Sequence, residues 1–362
     1  MSETKIRIED GPVAVTGASG YIGSRIVEDL VEQGYAVNAC VRDASSAIKT
    51  DHLFEMNKKG LGGSVELHEG DLFKKGSYNK AFSGCSAVIH AGATVGFNRE
   101  TPQEVYDGCF TENEHVLSSI KQSNSVKRFV FTSSFAAIGH PRPEGYVFSE
   151  KDWCSDNVEG YKGAWTEDNI SKNRDIAYAM AKANTEKMIY KAAEEDGKFE
   201  AVSINPLHVV GPLMSKNHNQ FFSWQFFILQ LLIGTDFGFW NDKQIRPSTM
   251  LWNMVDVRDT ARAHRLAAES LNAKNGSRYI LSATDRSGEM FTWELQAKLK
   301  ELFPEIENIG GEEMVNDKPV KDTYDSPRSY CTKAIKDLGL STYSIEDTLK
   351  ETGESYRKIG LL

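Results

Sequence analysis

Val13-Ala-Val-Thr16 runs directly into Gly17-Ala-Ser-Gly20-Tyr-Ile-Gly23, after which apolar residues recur on a helical spacing at Ile22, Ile26, Val27, Leu30 and Val31 until Gly34. A short apolar run bounded by glycine reads as a buried strand, and the repeat that follows reads as an amphipathic helix. A strand, a glycine turn and a helix in that order are the opening unit of an α/β fold. Glycines permit a tight turn with close backbone approach, and a helix N-terminus attracts phosphate through its free N–H groups and its dipole. The spacing is GxxGxxG rather than GxGxxG, and a purely structural turn is the plainer alternative. On the dinucleotide reading, Gly17, Ser19, Gly20, Tyr21, Ile22 and Gly23 cradle a pyrophosphate.

The alternation continues. Ala36–Val41, Val65–Asp71, Ala87–His90, Arg128–Thr132 and Ala201–Ile204 are expected strands. Helices are expected near 78–82, over 102–123 and over 174–195. Strands separated by helices imply right-handed crossovers and a Rossmann-type, doubly wound parallel sheet. After Pro206 the alternation weakens, and a smaller C-terminal lobe covering the substrate is expected. The division is residues 1–206 for the dinucleotide-binding domain and 207–362 mainly for the lobe. Segments near 252–282 (Trp252–Val257 and Arg278–Leu281) are expected to return to the main sheet.

Composition narrows the function classes. The 362 residues are 40% hydrophobic and 26% charged, which suits a globular protein with a sizeable core. A net charge of −9 makes nucleic acid an improbable partner. The five cysteines (Cys40, Cys85, Cys109, Cys154, Cys331) are scattered, with no CxxC pair. That pattern suits reduced thiols in a cytoplasmic protein and supplies no metal site. The first ten residues hold no apolar segment of the signal-peptide kind. Phe221–Ile233 is apolar but spans only 13 residues, against the about 20 needed to cross a bilayer, so a buried or cleft-lining helix is expected there.

Strand ends point to the cofactor. An acidic residue closing the second strand would hold the ribose hydroxyls of NAD, whereas arginine accommodates a 2′-phosphate. Here the position is Arg42, with Lys49 beyond it, so NADP (NADPH) is expected, a solvated Arg-Asp turn being the alternative. Asp71-Leu72 closes the third strand, where a carboxylate can accept from the adenine amino group. His90-Ala91-Gly92-Ala93 ends the fourth with small residues that let the cofactor pass close to the backbone, and His90 itself is expected to pack or hydrogen-bond locally.

The reactive groups follow. Thr132-Ser133-Ser134 ends the fifth strand, and Tyr178-Ala-Met-Ala-Lys182 sets a phenol and an ammonium four residues apart, on one helical face. An adjacent ammonium lowers the cost of ionising a tyrosine, which can then exchange a proton with a substrate oxygen near neutral pH.

In this order, GASGYIG, the strand-end Asp71, HAGA, TSS and YAMAK resemble the extended short-chain dehydrogenase/reductases, as do Asn205-Pro206, Gly211-Pro212 and Val255–Ala263. Cys40-Val-Arg-Asp43 resembles the NADP-dependent branch holding dihydroflavonol reductases, cinnamoyl-CoA reductases and aldehyde and ketone reductases. The resemblance covers nearly the whole chain. It implies Tyr178 as general acid, Lys182 as the residue that lowers its pKa and binds the nicotinamide ribose, and Ser134 as the group that polarises the carbonyl. It also implies Asn113 as a supporting residue, and cofactor contacts at Thr132 and from Pro206 to Val209. Two departures count against two named substrates. Gly139 stands where plant flavonoid reductases carry asparagine, and Asp175–Lys182 differs from the Asn-Trp-Tyr-Cys-Tyr-Gly-Lys block of cinnamoyl-CoA reductases.

The expected activity is NADPH-dependent reduction of an aldehyde or ketone, on a hydrophobic or aromatic substrate if Phe97, Phe135, Met214, Phe221 and Trp224 line the cleft. Two alternatives stay open: an NAD-dependent nucleotide-sugar epimerase or dehydratase, and a non-catalytic NADP-sensing protein. No membrane partner is expected, and the protein is expected as a monomer or homodimer.

Overall fold

The computed structural model describes residues 4–93, 101–139, 142–143, 145–156, 165–221, 223–234, 250–310 and 328–362. Seven strands form the main sheet: β1 (Val13–Thr16), β2 (Ala36–Val41), β3 (Ser64–Glu69), β4 (Ala87–His90), β5 (Arg128–Thr132), β7 (Glu200–Pro206) and β10 (Ser277–Leu281). Their order is β10-β7-β5-β4-β1-β2-β3, and all pairs are parallel. Val13, Ala14, Val15 and Thr16 are fully buried, as a central parallel strand covered on both faces requires.

Helices α1 (Tyr21–Glu32), α2 (Ala47–Lys58), α3 (Asn79–Phe82), α4 (Pro102–Ser123), α5 (Arg174–Asp196) and α7 (Val257–Glu269) flank this sheet. α1 buries Ile26, Val27, Leu30 and Val31 on the face read from its spacing. α4 starts at a capping box between Thr101 and Glu104, with Pro102 in its first turn. Asn173 caps α5 by accepting from the amides of Asp175 and Ile176, and Gly197 ends it at φ +70°. α7 is capped by Asp256 and packs on α1, where Arg265 donates to Asp29 at 2.6 Å.

A second sheet has the order β11-β9-β8, from β8 (His208–Val210), β9 (Leu251–Asp256) and β11 (Glu289–Phe291). One expectation is corrected here. The 278–281 segment does join the main sheet as β10, but the 252–257 segment forms β9, which pairs with β8 instead. β8 leaves the main sheet one residue after β7 ends, and β9 pairs with it on one side and with β11 on the other. α6 (Trp224–Leu232), α8 (Thr292–Leu302) and α10 (Ile345–Ile359) pack with this sheet around Val210, Phe227, Trp252, Leu295 and Tyr356. A two-stranded pair, β6 (Val147–Phe148) with β12 (Arg328–Ser329), and α9 (Thr332–Leu338) complete the described strands and α-helices.

The apolar 221–233 stretch becomes the nine-residue α6, buried along Phe227, Ile228, Leu229, Leu231 and Leu232. Among the described residues no helix is long and apolar enough to cross a membrane. All five cysteines are buried thiols.

Candidate active site at the carboxyl edge of the sheet

Parallel register brings the ends of β1, β4, β5 and β7 to one edge: Thr16 pairs with His90, His90 with Phe131, and Thr132 with Ile204. At β1 the chain turns through Gly17 at φ +67°, a left-handed conformation that favours glycine. A Cβ on Gly17 would also meet Gly92 Cα and N at 2.7 Å, so the turns after β1 and β4 touch backbone to backbone. A Cβ on Gly23 would collide with the Gly17 carbonyl oxygen. Gly20 caps α1 with no side-chain hydrogen bond and no acidic residue in the first turn. Ser19 lies in this turn, and the Tyr21 hydroxyl donates to the Gly211 carbonyl at 2.8 Å while Ile22 packs on the main core.

These features fit a dinucleotide. The N–H groups at the start of α1 carry no competing cap, and the glycines leave the backbone bare where a pyrophosphate would lie. Arg42 and Lys49 are exposed, and neither forms a salt bridge among the described residues. Asp71 is half-buried, and one of its oxygens accepts from the Phe73 amide at 2.9 Å, leaving the other for a donor. Leu72 is buried beside Gly92, and Ala91 bonds from its amide to the Thr16 carbonyl at 3.2 Å. Ala93 is exposed at the end of that turn.

His90 engages Thr16 Oγ1 through Nδ1 at 2.6 Å. Burial, aided by the Lys182 charge, lowers its pKa to about 3, which keeps the ring neutral. This is the local role expected for it. Thr132 Oγ1 pairs with His264 Nε2 at 2.8 Å, and its carbonyl accepts from Lys182 Nζ at 3.4 Å.

α5 carries Tyr178 and Lys182 to this edge. Lys182 Nζ lies 5.7 Å from the Tyr178 ring centroid. Burial alone would lower the lysine pKa, but the acidic groups around it, Tyr178 foremost and then Cys109, Glu112 and Glu186, raise it above its ordinary value. Asn113, on α4, donates to the Cys109 carbonyl at 2.7 Å and shares a small cavity with His90, Glu112, Thr132 and Lys182. Ser134 caps a short 3-10 turn, Phe135–Ala137, that packs on α5. Its Oγ accepts from the Ala136 amide at 3.1 Å, and its hydroxyl hydrogen has no acceptor among the described residues.

The four described substrate candidates pack in different places. Phe97 lies outside the described residues. Phe135 packs edge-on to Phe148 at 5.2 Å, in a cluster with Ile138 and Ile280. Met214 packs on the main core. Phe221 is 64% exposed and pairs with Phe226 at 5.3 Å. Trp224 sits 4.2 Å from the His208 ring and 5.5 Å from Trp252. Pro206 and Val209 are buried on either side of Leu207 and His208, where the chain passes from one sheet to the next. Trp165 packs in the cluster that includes Tyr178.

Sequence reasoning missed a buried polar group beneath this edge, formed by Ser133, Glu186, Asn205 and Arg278. The available signals were Glu186, four residues after Lys182 and on the same face of α5, and Asn205, read above only as part of the Asn205-Pro206 landmark.

A parallel sheet in this strand order, with a glycine turn at the first helix and Ser, Tyr and Lys at one edge, defines a dinucleotide-binding α/β protein with a Tyr-Lys pair. The chain belongs to the NAD dependent epimerase/dehydratase family, which it matches over residues 13–281. It is 31% identical over 350 residues to cinnamoyl-CoA reductase CAD2 of Medicago truncatula, covering 96% of this chain and 95% of that protein. To a dihydroflavonol 4-reductase of Hordeum vulgare it is 29% identical, covering 97% and 90%. Among solved structures, Gre2 of Candida albicans in complex with NADPH superposes with a TM-score of 0.77 at 25% identity, covering 96% of this chain and 99% of that one.

Proposed function

We propose that this protein is an NADPH-dependent reductase of an aldehyde or ketone, able to run in reverse as an alcohol dehydrogenase. The observation that carries the reading is that Tyr178 and Lys182 lie on one helix, that Lys182 is bonded to the end of the fifth strand, and that the turn capped by Ser134, whose hydroxyl hydrogen is uncommitted, packs on the same helix. The reductase relatives and the NADPH complex of a structural neighbour support it.

NADPH, when bound, supplies the hydride. Its pyrophosphate would rest on the α1 N-terminus and its 2′-phosphate on Arg42 and Lys49. Ser134 donates its hydroxyl hydrogen to the substrate carbonyl oxygen and so draws electron density from the carbon. As that carbon becomes tetrahedral, the phenol of Tyr178 gives its proton to the oxygen, yielding the alcohol. The Lys182 ammonium, fixed on the Thr132 carbonyl, favours the phenolate left behind. On this reading residues 1–206 hold the cofactor and the reacting groups, and most of 207–362 covers a small-molecule carbonyl substrate.

The test is to follow NADPH absorbance with purified protein and a panel of aromatic and aliphatic carbonyls, and to identify any cofactor released on denaturation. Turnover with at least one carbonyl is expected. Tightly held NAD with no carbonyl turnover would overturn the reading in favour of a hydride-recycling epimerase.

A further inference from the structure

Glu186 is fully buried, four residues beyond Lys182 and eight beyond Tyr178 on α5. Oε1 accepts from the Ser133 hydroxyl and from Asn205 Nδ2, the latter at 2.7 Å. Oε2 accepts from Arg278 Nε of β10 at 2.7 Å. Asn205, near the end of β7, is also fully buried, and each end of its amide is committed. Oδ1 accepts from the Ser203 hydroxyl at 2.8 Å, and Ser203 in turn accepts from the Tyr190 hydroxyl at 2.7 Å. Nδ2 donates to Glu186 and to the Ser134 carbonyl at 3.1 Å.

A carboxylate accepts and cannot donate, so Glu186 selects the NH2 end of the Asn205 amide, while Ser203 holds the oxygen end. The amide is therefore locked against a flip, with its second hydrogen aimed at the Ser134 carbonyl. Ser134 is gripped at two points, its carbonyl by Asn205 and its Oγ by the Ala136 amide. A buried ion pair such as Glu186–Arg278 repays its desolvation poorly as a source of stability, and apolar side chains would fill the space as well. What apolar side chains would not supply is direction.

We infer that Asn205, oriented by Glu186 and Ser203, is a positioning residue that sets the place of Ser134 in the carbonyl-reduction site. The inference rests on the proposed role of Ser134. Asn205 touches neither substrate nor cofactor in this scheme and acts through the Ser134 backbone alone. Loss of that bond lets the strand end shift, and a shift of this kind can cost on the order of 10²-fold in rate.

The experiment is a double-mutant cycle on the full chain with a turned-over carbonyl: Asn205→Ala, Ser134→Ala and the pair, with Ser203→Ala as a milder variant that frees the amide to flip. Asn205→Ala should lower kcat on the order of 10²-fold, leave the NADPH dissociation constant within about twofold of wild type, and enlarge the deuterium isotope effect seen with NADPD. In the Ser134→Ala background it should add less than about twofold, because residues acting through one group are non-additive. Should Asn205→Ala fail to fold, Ser203→Ala is expected to show the same non-additivity at a smaller loss. Equal losses in the wild-type and Ser134→Ala backgrounds would overturn the positioning role. Full turnover by Ser134→Ala would overturn the assignment of Ser134, and the positioning role with it.

Discussion

The Lys182 ammonium sits 3.4 Å from the Thr132 carbonyl oxygen, at the end of the strand whose next residues are Ser133 and Ser134. This bond fixes the middle of α5 to the end of β5. Tyr178, one turn earlier on the same helical face, is thereby held at the same sheet edge as Ser134. Lys182 has two tasks: it braces this junction, and it carries a charge.

Tyr178→Phe removes the only proton donor assigned to the reaction. A loss of about 10²–10⁴-fold in kcat is expected, the usual scale of a general acid. Lys182→Met should also lose turnover, and, through its broken bond to Thr132, some thermal stability. Steady-state kinetics beside thermal unfolding curves separate the two variants; a Tyr178→Phe enzyme with wild-type kcat would end the assignment.

Arg42→Ala is expected to raise the NADPH dissociation constant by about 10–100-fold, as for a charge-assisted hydrogen bond worth roughly 1.5–3 kcal/mol. NADH binding should not change, since the 2′-phosphate is the group lost from the comparison. Fluorescence titration with both cofactors is the measurement, and equal effects on both would mean that Arg42 does not read the phosphate.

The first turn distinguishes two kinds of glycine. Gly23→Ala drives a Cβ into the Gly17 carbonyl and should cost about 1–3 kcal/mol or more in stability, along with cofactor binding. Gly20→Ala meets only that oxygen, at 3.2 Å, so its fold should persist while the pyrophosphate seat is crowded. Unfolding temperature and NADPH affinity measured on both variants should therefore diverge.

Stability should fall with acid. Burial lowers the pKa of His90 and His218 to about 3 and of His208 and His264 to about 4. In the unfolded chain these groups titrate near ~6.5, so below that pH the unfolded state binds more protons and the folded state loses ground. Each contributes up to about 1.4 kcal/mol per pH unit until its folded value is reached. Asp259 opposes them. Burial raises its carboxyl to about 7, so it favours the folded state increasingly as pH drops from 7 toward ~4. Asp259→Asn should therefore steepen the loss of melting temperature between pH 7 and pH 5; a shallower loss would contradict the linkage.

Much of the main sheet was legible because its strands are continuous apolar runs bounded by glycine or polar turns. β1, β2, β4 and β5 fall where Val13–Thr16, Ala36–Val41, Ala87–His90 and Arg128–Thr132 were read. α2 was not foreseen: of its twelve residues only Thr50, Leu53 and Met56 are buried, too sparse a stripe to announce a helix. The 252–257 run was recognised as a strand but assigned to the wrong sheet, since local apolarity does not name a pairing partner. At the site, the Tyr178–Lys182 spacing and the glycine turn were visible because each is local in sequence. The Glu186 cluster joins residues 53 and 92 positions distant, and no local pattern encodes such meetings.

Leu207 alone separates β7 of the main sheet from β8 of the second, and its amide is bonded to the Leu281 carbonyl at 2.9 Å. Two sheets spliced through one pinned residue have no slack at that crossing. A swing of one against the other would have to tear this bond and unseat β10 beside it, so the crossing works as a weld and not as a pivot. On the proposed reading, a nicotinamide bordered by Pro206 and Val209 would lie against this splice, and so against a wall that does not give way as the second sheet is approached.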